Sequence, residues 1–368
     1  MNVRQATVAD LEAMMAMYDH SRALMRASGN TTQWVGYPTA GLVEGDIRKG
    51  HAFIVEHNHR AVGCFALVPG IEPTYAIIEH GHWIDQSSAY ATLHRLAKAE
   101  GAEGVAREAF AFAKGRHPYL RFDTHRDNAA MRHVARREQF VYSGVVHMAD
   151  LTERLAYEWW SHQAVSRDLA GYVDAFILPL YDGFDSAHDR QHALRVIART
   201  MLTGTPRGIA PDLLYAAAAW HDAGLGAGRE HHHFEGGRMV RDDSFLRSHF
   251  EPEQVELVAQ AVEDHRASSG CPPRSLLGRV LAEADRDLDP ELIVRRTVEY
   301  GLLHYPALGH KQQWERTLQH LDEKYSERGY LRLWLDDGPN TGMLAELRGI
   351  IADRHLLRSM FDSIMGSL

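Results

Sequence analysis

At 368 residues, with 45% hydrophobic and 24% charged residues and a formal charge of −9, the chain has an ordinary globular composition and enough length for two hydrophobic cores. Its two cysteines, Cys64 and Cys271, are too few for a disulfide framework or a thiolate zinc site and suit a reducing cytosol. No basic start leads into an apolar signal core, and no apolar run approaches the ~20 residues that span a bilayer, so a cytoplasmic protein with no membrane partner is expected. Charges balance over residues 1–150 and the negative excess falls on 151–368, which disfavours a nucleic-acid face there because phosphate contacts need clustered Lys and Arg.

Asn2 to Ala6 reads as a short strand, followed by a helix over Asp10 to Met25 in which Leu11, Met14, Met15, Tyr18 and Leu24 recur near helical spacing. A helix near Leu42 to Arg48 leads to two strands, HAFIVEH and RAVGCFALV, joined by a tight turn at Asn58 and His59. Tyr75 to Trp83 and Tyr90 to Lys98 read as extended. Glu103 to Lys114 reads as a helix, Leu120 to Thr124 as a strand, Ala129 to Arg137 as a helix and Phe140 to Met148 as a final strand.

That order, with GAEGVA entering the helix at 103 and DTHRDNAAM opening the one at 129, resembles the GNAT acetyltransferase fold across nearly all of the first 150 residues. The resemblance implies an α/β domain over 1–152, a central mixed sheet flanked by helices, that binds acetyl-CoA and acetylates an amine. Leu96 and Ala97 would then meet the pantetheine from the strand edge. Ala102, Gly104, Val105 and Ala106 would line the turn for the pyrophosphate, where a helix N-terminus offers unpaired N–H donors. Asn128 matches the asparagine that contacts the cofactor arm. Gly101 stands where the family usually carries Gln or Arg, and the tyrosine often used as general acid would fall near Ala135. Glu79 and His94, on or near the central strands, are the candidates to take the amine proton.

LTERLAYEWWSHQAVSRDL reads as a helix-leaning connector, with Trp159 and Trp160 docking one domain on the other and a second domain beginning at 153. Helical patterns then follow at Ala170 to Asp182, His188 to Leu202, Pro211 to Asp222, His233 to Asp242, Pro252 to Arg266, Arg274 to Asp287, Pro290 to His304, Lys311 to Glu327 and Thr341 to Phe361. Pro211 and Pro290 suit first-turn positions, and Asp289 suits an N-cap. Strand signals are nearly absent, so 153–368 is expected to be an all-α bundle.

Within it, YAAAAWHD at Tyr215 to Asp222 is an apolar helical run ending in adjacent His221 and Asp222. His192 in HDRQHALRV precedes that pair by 29 residues, and Asp285 in EADRD follows it by 63. The ordered set resembles the HD superfamily of metal-dependent phosphohydrolases, over about residues 165–330. By that resemblance His192, His221, Asp222 and Asp285 hold a divalent metal, one or two ions of Mn, Fe, Mg, Zn, Co or Ni. Mixed imidazole and carboxylate donors suit such ions, and a set drawn from separate helices leaves positions open for water and substrate. In two-metal members further histidines fall between the pair and the last aspartate. His232 or His233, with His265, occupies that place, and Asp222 would bridge the two ions. Adjacent helical residues point about 100° apart, so at most one of His232 and His233 should face His265. His188 and Arg195 share a helical face with His192. His188 is thus a candidate beside Asp222 in the catalytic set, and Arg195 and Arg266 are candidates to hold phosphate oxygens. Arg286 is expected to serve an ion pair.

The expectation is a bifunctional enzyme: an N-acetyltransferase joined to a metal-dependent phosphohydrolase for a nucleotide or other phosphoester. In the alternative, one domain is a non-catalytic acetyl-CoA or nucleotide sensor that regulates the other. Partners are small molecules, an amine acceptor and a phosphoester; a homo-oligomer is compatible with the sequence.

Overall fold

The computed structural model describes residues 1–161, 164–185, 187–266 and 271–367, and the chain divides into two compact units, Met1–Gln163 and Ala164–Leu368. No helix among the described residues is long and apolar enough to cross a membrane.

The first unit is a mixed sheet of eight strands: β1 (Asn2–Gln5), β2 (Ala52–His57), β3 (Arg60–Pro69), β4 (Ile78–Glu79), β5 (Ala91–Lys98), β6 (Tyr119–Thr124), β7 (Val141–His147) and β8 (Glu153–Trp160). Their spatial order is β1-β2-β3-β5-β6-β8-β7-β4. The β2–β3 hairpin turns at Asn58 and His59, both with positive φ (50° and 58°), as a two-residue turn matched to strand twist requires. Period-two alternation sends Phe53, Val55, Phe65 and Leu67 to one face, where α3 (Val105–Lys114) and α4 (Ala129–Arg137) cover them. Ala52, Ile54 and Cys64 point to the other face, against α1 (Leu11–Ala27) and α2 (Ala40–Arg48). Each large side chain fully buried there, such as Phe110, Phe122 or Ile54, contributes about 1.5–3 kcal/mol.

Two readings of this half are corrected. Glu153–Trp160 is a strand inserted between β6 and β7, with Trp159 opposite Leu120 and Tyr157 opposite both Phe122 and Tyr142; it is not a connector, and β7 is not the last strand. Trp160 stacks on Tyr119 at 4.9 Å and Trp159 packs near Phe140, so both tryptophans belong to the first unit's own packing. Residues 162 and 163 of the expected connector lie outside the described residues. Tyr75 to Trp83 is extended only at β4; its start is a 3-10 turn (Pro73–Tyr75), opened by Pro73, which lacks an N–H for a ladder.

The second unit has helices and no strand among its described residues: α5 (Arg167–Tyr172), α6 (Arg190–Gly204), α7 (Pro211–Trp220), α8 (His232–Asp242), α9 (Ser244–His249), α10 (Pro252–Asp264), α11 (Leu276–Ala284), α12 (Pro290–His304), α13 (His310–Tyr325), α14 (Pro339–Ala352) and α15 (Arg354–Ser367). From Leu213 to Trp220 every residue of α7 is buried, which marks a central helix rather than an amphipathic surface one. The run Ala216 to Ala219 keeps that helix thin, so its neighbours approach closely. α12 to α15 enclose a further core around Val294, Leu321, Leu347 and Phe361. Asp289 caps α12, its carboxylate accepting from the Leu292 N–H at 2.8 Å. The expected helix at 341–361 is two helices, broken where Asp353 leaves the helical region and accepts from the N–H groups of His355 and Leu356. After α5 the stretch expected to be helical to Asp182 passes through a π turn and a 3-10 segment that contains Pro179.

Candidate metal centre and sheet cleft

Five helices of the second unit deliver side chains to one point, each from a helix end. His192 sits in the first turn of α6, where Asp189 caps its N–H at 3.0 Å. His221 and Asp222 directly follow α7, His232 opens α8, His265 directly follows α10, and Asp285 directly follows α11. Three of these ends are C-termini, whose carbonyl dipoles favour a cation. The Tyr181 hydroxyl fixes the end of α7, donating to the Ala219 carbonyl at 2.9 Å and accepting from the Asp222 N–H at 3.2 Å.

The glycines of GLG and HHHFEGG set the approach of α8. A Cβ on Gly224 would lie 2.2 Å from the His232 carbonyl oxygen, and one on Gly236 would lie 2.8 Å from a Val262 methyl. Both positions demand the bare backbone, and their reward is that His232 reaches the carboxylate of Asp222.

The imidazoles are oriented from behind. His221 Nδ1 lies 2.8 Å from the Ala218 carbonyl, His232 Nδ1 2.8 Å from that of Arg229, and His265 Nδ1 2.6 Å from that of Val262. A carbonyl only accepts, so Nδ1 carries the hydrogen and the neutral ring presents a bare Nε2 to the site. Asp222, 3% exposed, divides its oxygens. Oδ2 faces His221 Nε2 at 3.3 Å and His192 Nε2 at 3.6 Å, whereas Oδ1 faces His232 Nε2 at 3.3 Å and His265 Nε2 at 3.5 Å. Asp285 Oδ1 adds a contact to His192 Nε2 at 3.2 Å. Among the described residues this makes two metal-ligand triads, His192–His221–Asp222 and Asp222–His232–His265.

The donor chemistry fits divalent ions. His192 and His221 turn Nε2 toward Nε2 at 3.1 Å, an arrangement of lone pairs that a shared cation resolves. Burial alone would raise the Asp222 carboxyl, but positive charge and N–H donors on the facing imidazoles of His221, His192 and His265 hold it well below the usual carboxylate range, and a cation seated among bare Nε2 atoms acts in the same direction. Burial likewise opposes ionisation of Asp285, and His192 outweighs it. The site is thus set up to keep its carboxylates ionised.

Of the remaining expected residues, His188, Arg195 and Arg266 line a cavity of ≈ 300 Å³ over this centre. His188 lies before the N-cap of α6, so the shared-helical-face argument does not apply to it; its Nδ1 is held by Asp185 at 2.8 Å. Arg195 makes no hydrogen bond to another described residue. Arg266 donates to the Glu230 carbonyl at 2.9 Å. His233 is not brought in: α8 begins at His232, and the next ring turns onto Phe234 at 4.1 Å. Burial pushes its imidazole down to about 4. Arg286 is buried and pairs with Glu283 at 3.1 Å. Sequence reasoning missed Arg199 and Arg296, which also line the cavity. Arg199 stands seven residues after His192 on α6, a spacing that returns to the same face; nothing in the sequence points to Arg296.

In the first unit β5 and β6 run parallel but pair only at Ala91–Leu120 and Thr92–Arg121. Beyond Thr92 the strands part, leaving one edge of β5 unpaired toward β6 through Leu96 and Ala97. On the other edge a bulge at Arg95 (φ 53°) interrupts the pairing with β3. Ala102 and Gly104 form the turn at the start of α3. Gly104 is its N-cap at φ 74°, where a side chain is strained, and the N–H groups of Val105 and Ala106 open the helix. The Val105 side chain instead enters the core, in space left by Gly63. Asn128 caps α4, accepting from the Met131 N–H at 3.1 Å. His94 lies on β5 with its Nε2 3.2 Å from Glu72, and Glu72 is lowered to about 2, chiefly by that contact. Glu79 sits on β4, four strands from β5 in the sheet order and half-exposed near His147. Ala135 is buried and offers no acid.

Comparison with known proteins matches residues 190–288 to the HD domain family. No curated protein matches the chain. Among solved structures, a GNAT-family acetyltransferase from Streptococcus agalactiae 2603 is 26% identical, covering 44% of this chain and 95% of its own, with a TM-score of 0.41. An N-acetyltransferase from Staphylococcus aureus Mu50 is 21% identical over 43% and 97%, TM-score 0.30. A predicted HD superfamily hydrolase from an uncultured Thermotogales bacterium is 21% identical over 42% and 83%, TM-score 0.29.

Proposed function

We propose that this chain, a GNAT-like α/β unit followed by an HD domain, is an acetyl-CoA-dependent N-acetyltransferase joined to a metal-dependent phosphohydrolase for a small phosphoester. The observation that carries the second activity is the division of Asp222 between two triads. His192, His221, Asp222 and Asp285 would hold one ion, and Asp222, His232 and His265 the other. When bound, such ions supply Lewis acidity to a phosphoryl oxygen and make water a stronger acid. Arg195 and Arg266 then bind the phosphoryl oxygens by charge-assisted hydrogen bonds. His188, oriented through Nδ1 by Asp185, leaves Nε2 to protonate the departing oxygen.

In the first unit the parted edge of β5 supports the acetyl-CoA reading, since its unpaired amides can pair with an extended amide-bearing arm. The N–H groups at the start of α3 suit the phosphates. His94 is the base this arrangement favours for the amine proton.

Metal analysis of the purified full-length protein, with turnover of a nucleotide and phosphoester panel, tests the hydrolase. Two ions per chain are expected, and Asp222→Ala should lose metal and hydrolysis together while acetyl-CoA binding persists. An Asp222→Ala protein that stays metal-replete and fully active would reduce the helical unit to a binding module.

A further inference from the structure

Beside the metal centre a second pocket of ≈ 510 Å³ opens between α12 and α13, within the size range of small-ligand sites. It shares Asp285, Asp287 and Arg296 with the cavity over the centre, so the two spaces adjoin at that wall. Its other lining lies almost wholly beyond residue 288, outside the segment that matches the HD domain. The floor is apolar, made by Leu288, Ile293, Tyr325 and Leu331, all buried. The rim is cationic, made by Arg296, Arg316 and Lys324.

None of these three cations forms an ion pair among the described residues, although the second half of the chain carries the whole negative excess. Arg316 donates to Gln313 and to the Thr297 carbonyl, and its guanidinium lies 5.9 Å from the ring centres of Tyr300 and Tyr305. Room for it is built into α12, since a Cβ on Gly301 would lie 2.4 Å from Arg316 Nη2. Lys324 stands 5.0 Å from the Tyr325 ring centre. Cations left without carboxylates over an apolar floor suit an organic anion, whose oxygens they can pair with and whose body the floor can cover.

We infer that this pocket receives the part of the substrate beyond the scissile bond, and that this part carries a second phosphate. The substrate class is an organic phosphoester with an apolar or planar body and two separated phosphates, one over Asp222 and the other between Arg316 and Lys324. Arg316 and Lys324, neither of them ion-paired among the described residues, match a dianionic phosphate better than a carboxylate. The inference rests on the phosphohydrolase reading of the neighbouring centre.

The test is calorimetric binding of adenosine 5′-monophosphate and adenosine 3′,5′-bisphosphate to the metal-loaded full-length protein, followed by turnover of both. A charge-assisted contact supports an affinity gain of about tenfold or more for the bisphosphate. Lys324→Glu should erase that gain, with Lys324→Gln intermediate. Equal affinity for the two nucleotides, or a preference that survives Lys324→Glu, overturns the pocket whatever the centre does. A Lys324-dependent preference with no turnover of either nucleotide or of the phosphoester panel keeps the pocket as a bisphosphate site and removes the hydrolase reading.

Discussion

Asp222→Asn tests the shared carboxylate without removing bulk from a buried position. The wild-type carboxylate gives Oδ2 to one triad and Oδ1 to the other. Asparagine keeps a single acceptor oxygen and no charge, so the site of His232 and His265 loses its sole carboxylate and the site of His192 and His221 keeps Asp285 alone, too little to hold either ion tightly. An ion present at about 100 times its Kd stabilises the folded state by about 2.7 kcal/mol. For a unit of roughly 200 residues each kcal/mol moves Tm by about 2–4 °C, so one ion is worth about 5–11 °C and two about twice that. Metal-stripped full-length protein should be melted in a scanning calorimeter with and without Mn²⁺, following the transition that responds to the ion. The parent should gain the two-ion shift, His265→Ala about half of it, and Asp222→Asn almost none. A parent-sized shift in Asp222→Asn, or a His265→Ala protein that responds in full, refutes the reasoning.

Gly224→Ala forces a Cβ to within 2.2 Å of a backbone carbonyl that cannot swing aside; it should cost about 1–3 kcal/mol in urea unfolding and loosen the ion held by His232 and His265 first, read as metal stoichiometry. Gly104→Glu places a side chain at φ 74° and a negative charge at the opening of α3, and should weaken acetyl-CoA binding in calorimetry by about tenfold or more while the Mn²⁺-induced shift stays intact. Glu158 is buried, and that burial pushes its carboxyl up to about 7 despite bonds from Ser143, Ile84 and Tyr119. A folded pKa above the unfolded value of about 4.5 means that its contribution is full below pH 4.5 and is lost as pH rises through 7, on the order of 3 kcal/mol. The difference in unfolding free energy between the parent and Glu158→Gln should therefore change across pH 4.5–7, and a flat difference contradicts the burial argument.

That His192, His221, Asp222 and Asp285 come together was legible because residue type and spacing survive any packing detail: they needed only to sit near helix ends, and Pro, Asp and Gly signals place those ends. The choice between His232 and His233 was not legible. It depends on where α8 begins and on how closely Gly224 and Gly236 let it approach, neither of which follows from a 100° rotation. β8 was missed because a strand enclosed between β6 and β7 is buried on both faces at Ala156, Tyr157 and Glu158, which removes the alternation by which strands are recognised. The buried charge of Glu158 added to that disguise. The first compact unit, Met1–Gln163, includes this strand. Arg296 stayed hidden because it reaches the cavity from a helix whose position only the tertiary fold determines.

The parting of β5 from β6 leaves a strand edge in the middle of a sheet, and bare edges are where proteins are prone to stick to one another by adding strands. Here the flaw is blunted by the edge's own irregularity. The bulge at Arg95, with its positive φ, breaks the even spacing of donors and acceptors that a foreign strand must match, and Lys98 supplies a charge at the outer end. The strand on the far side of the gap diverges, so an intruder could pair with one wall only. A short flexible arm can satisfy such an edge a few bonds at a time, while a regular strand cannot. The same opening that we propose for a ligand thus gives aggregation little to build on.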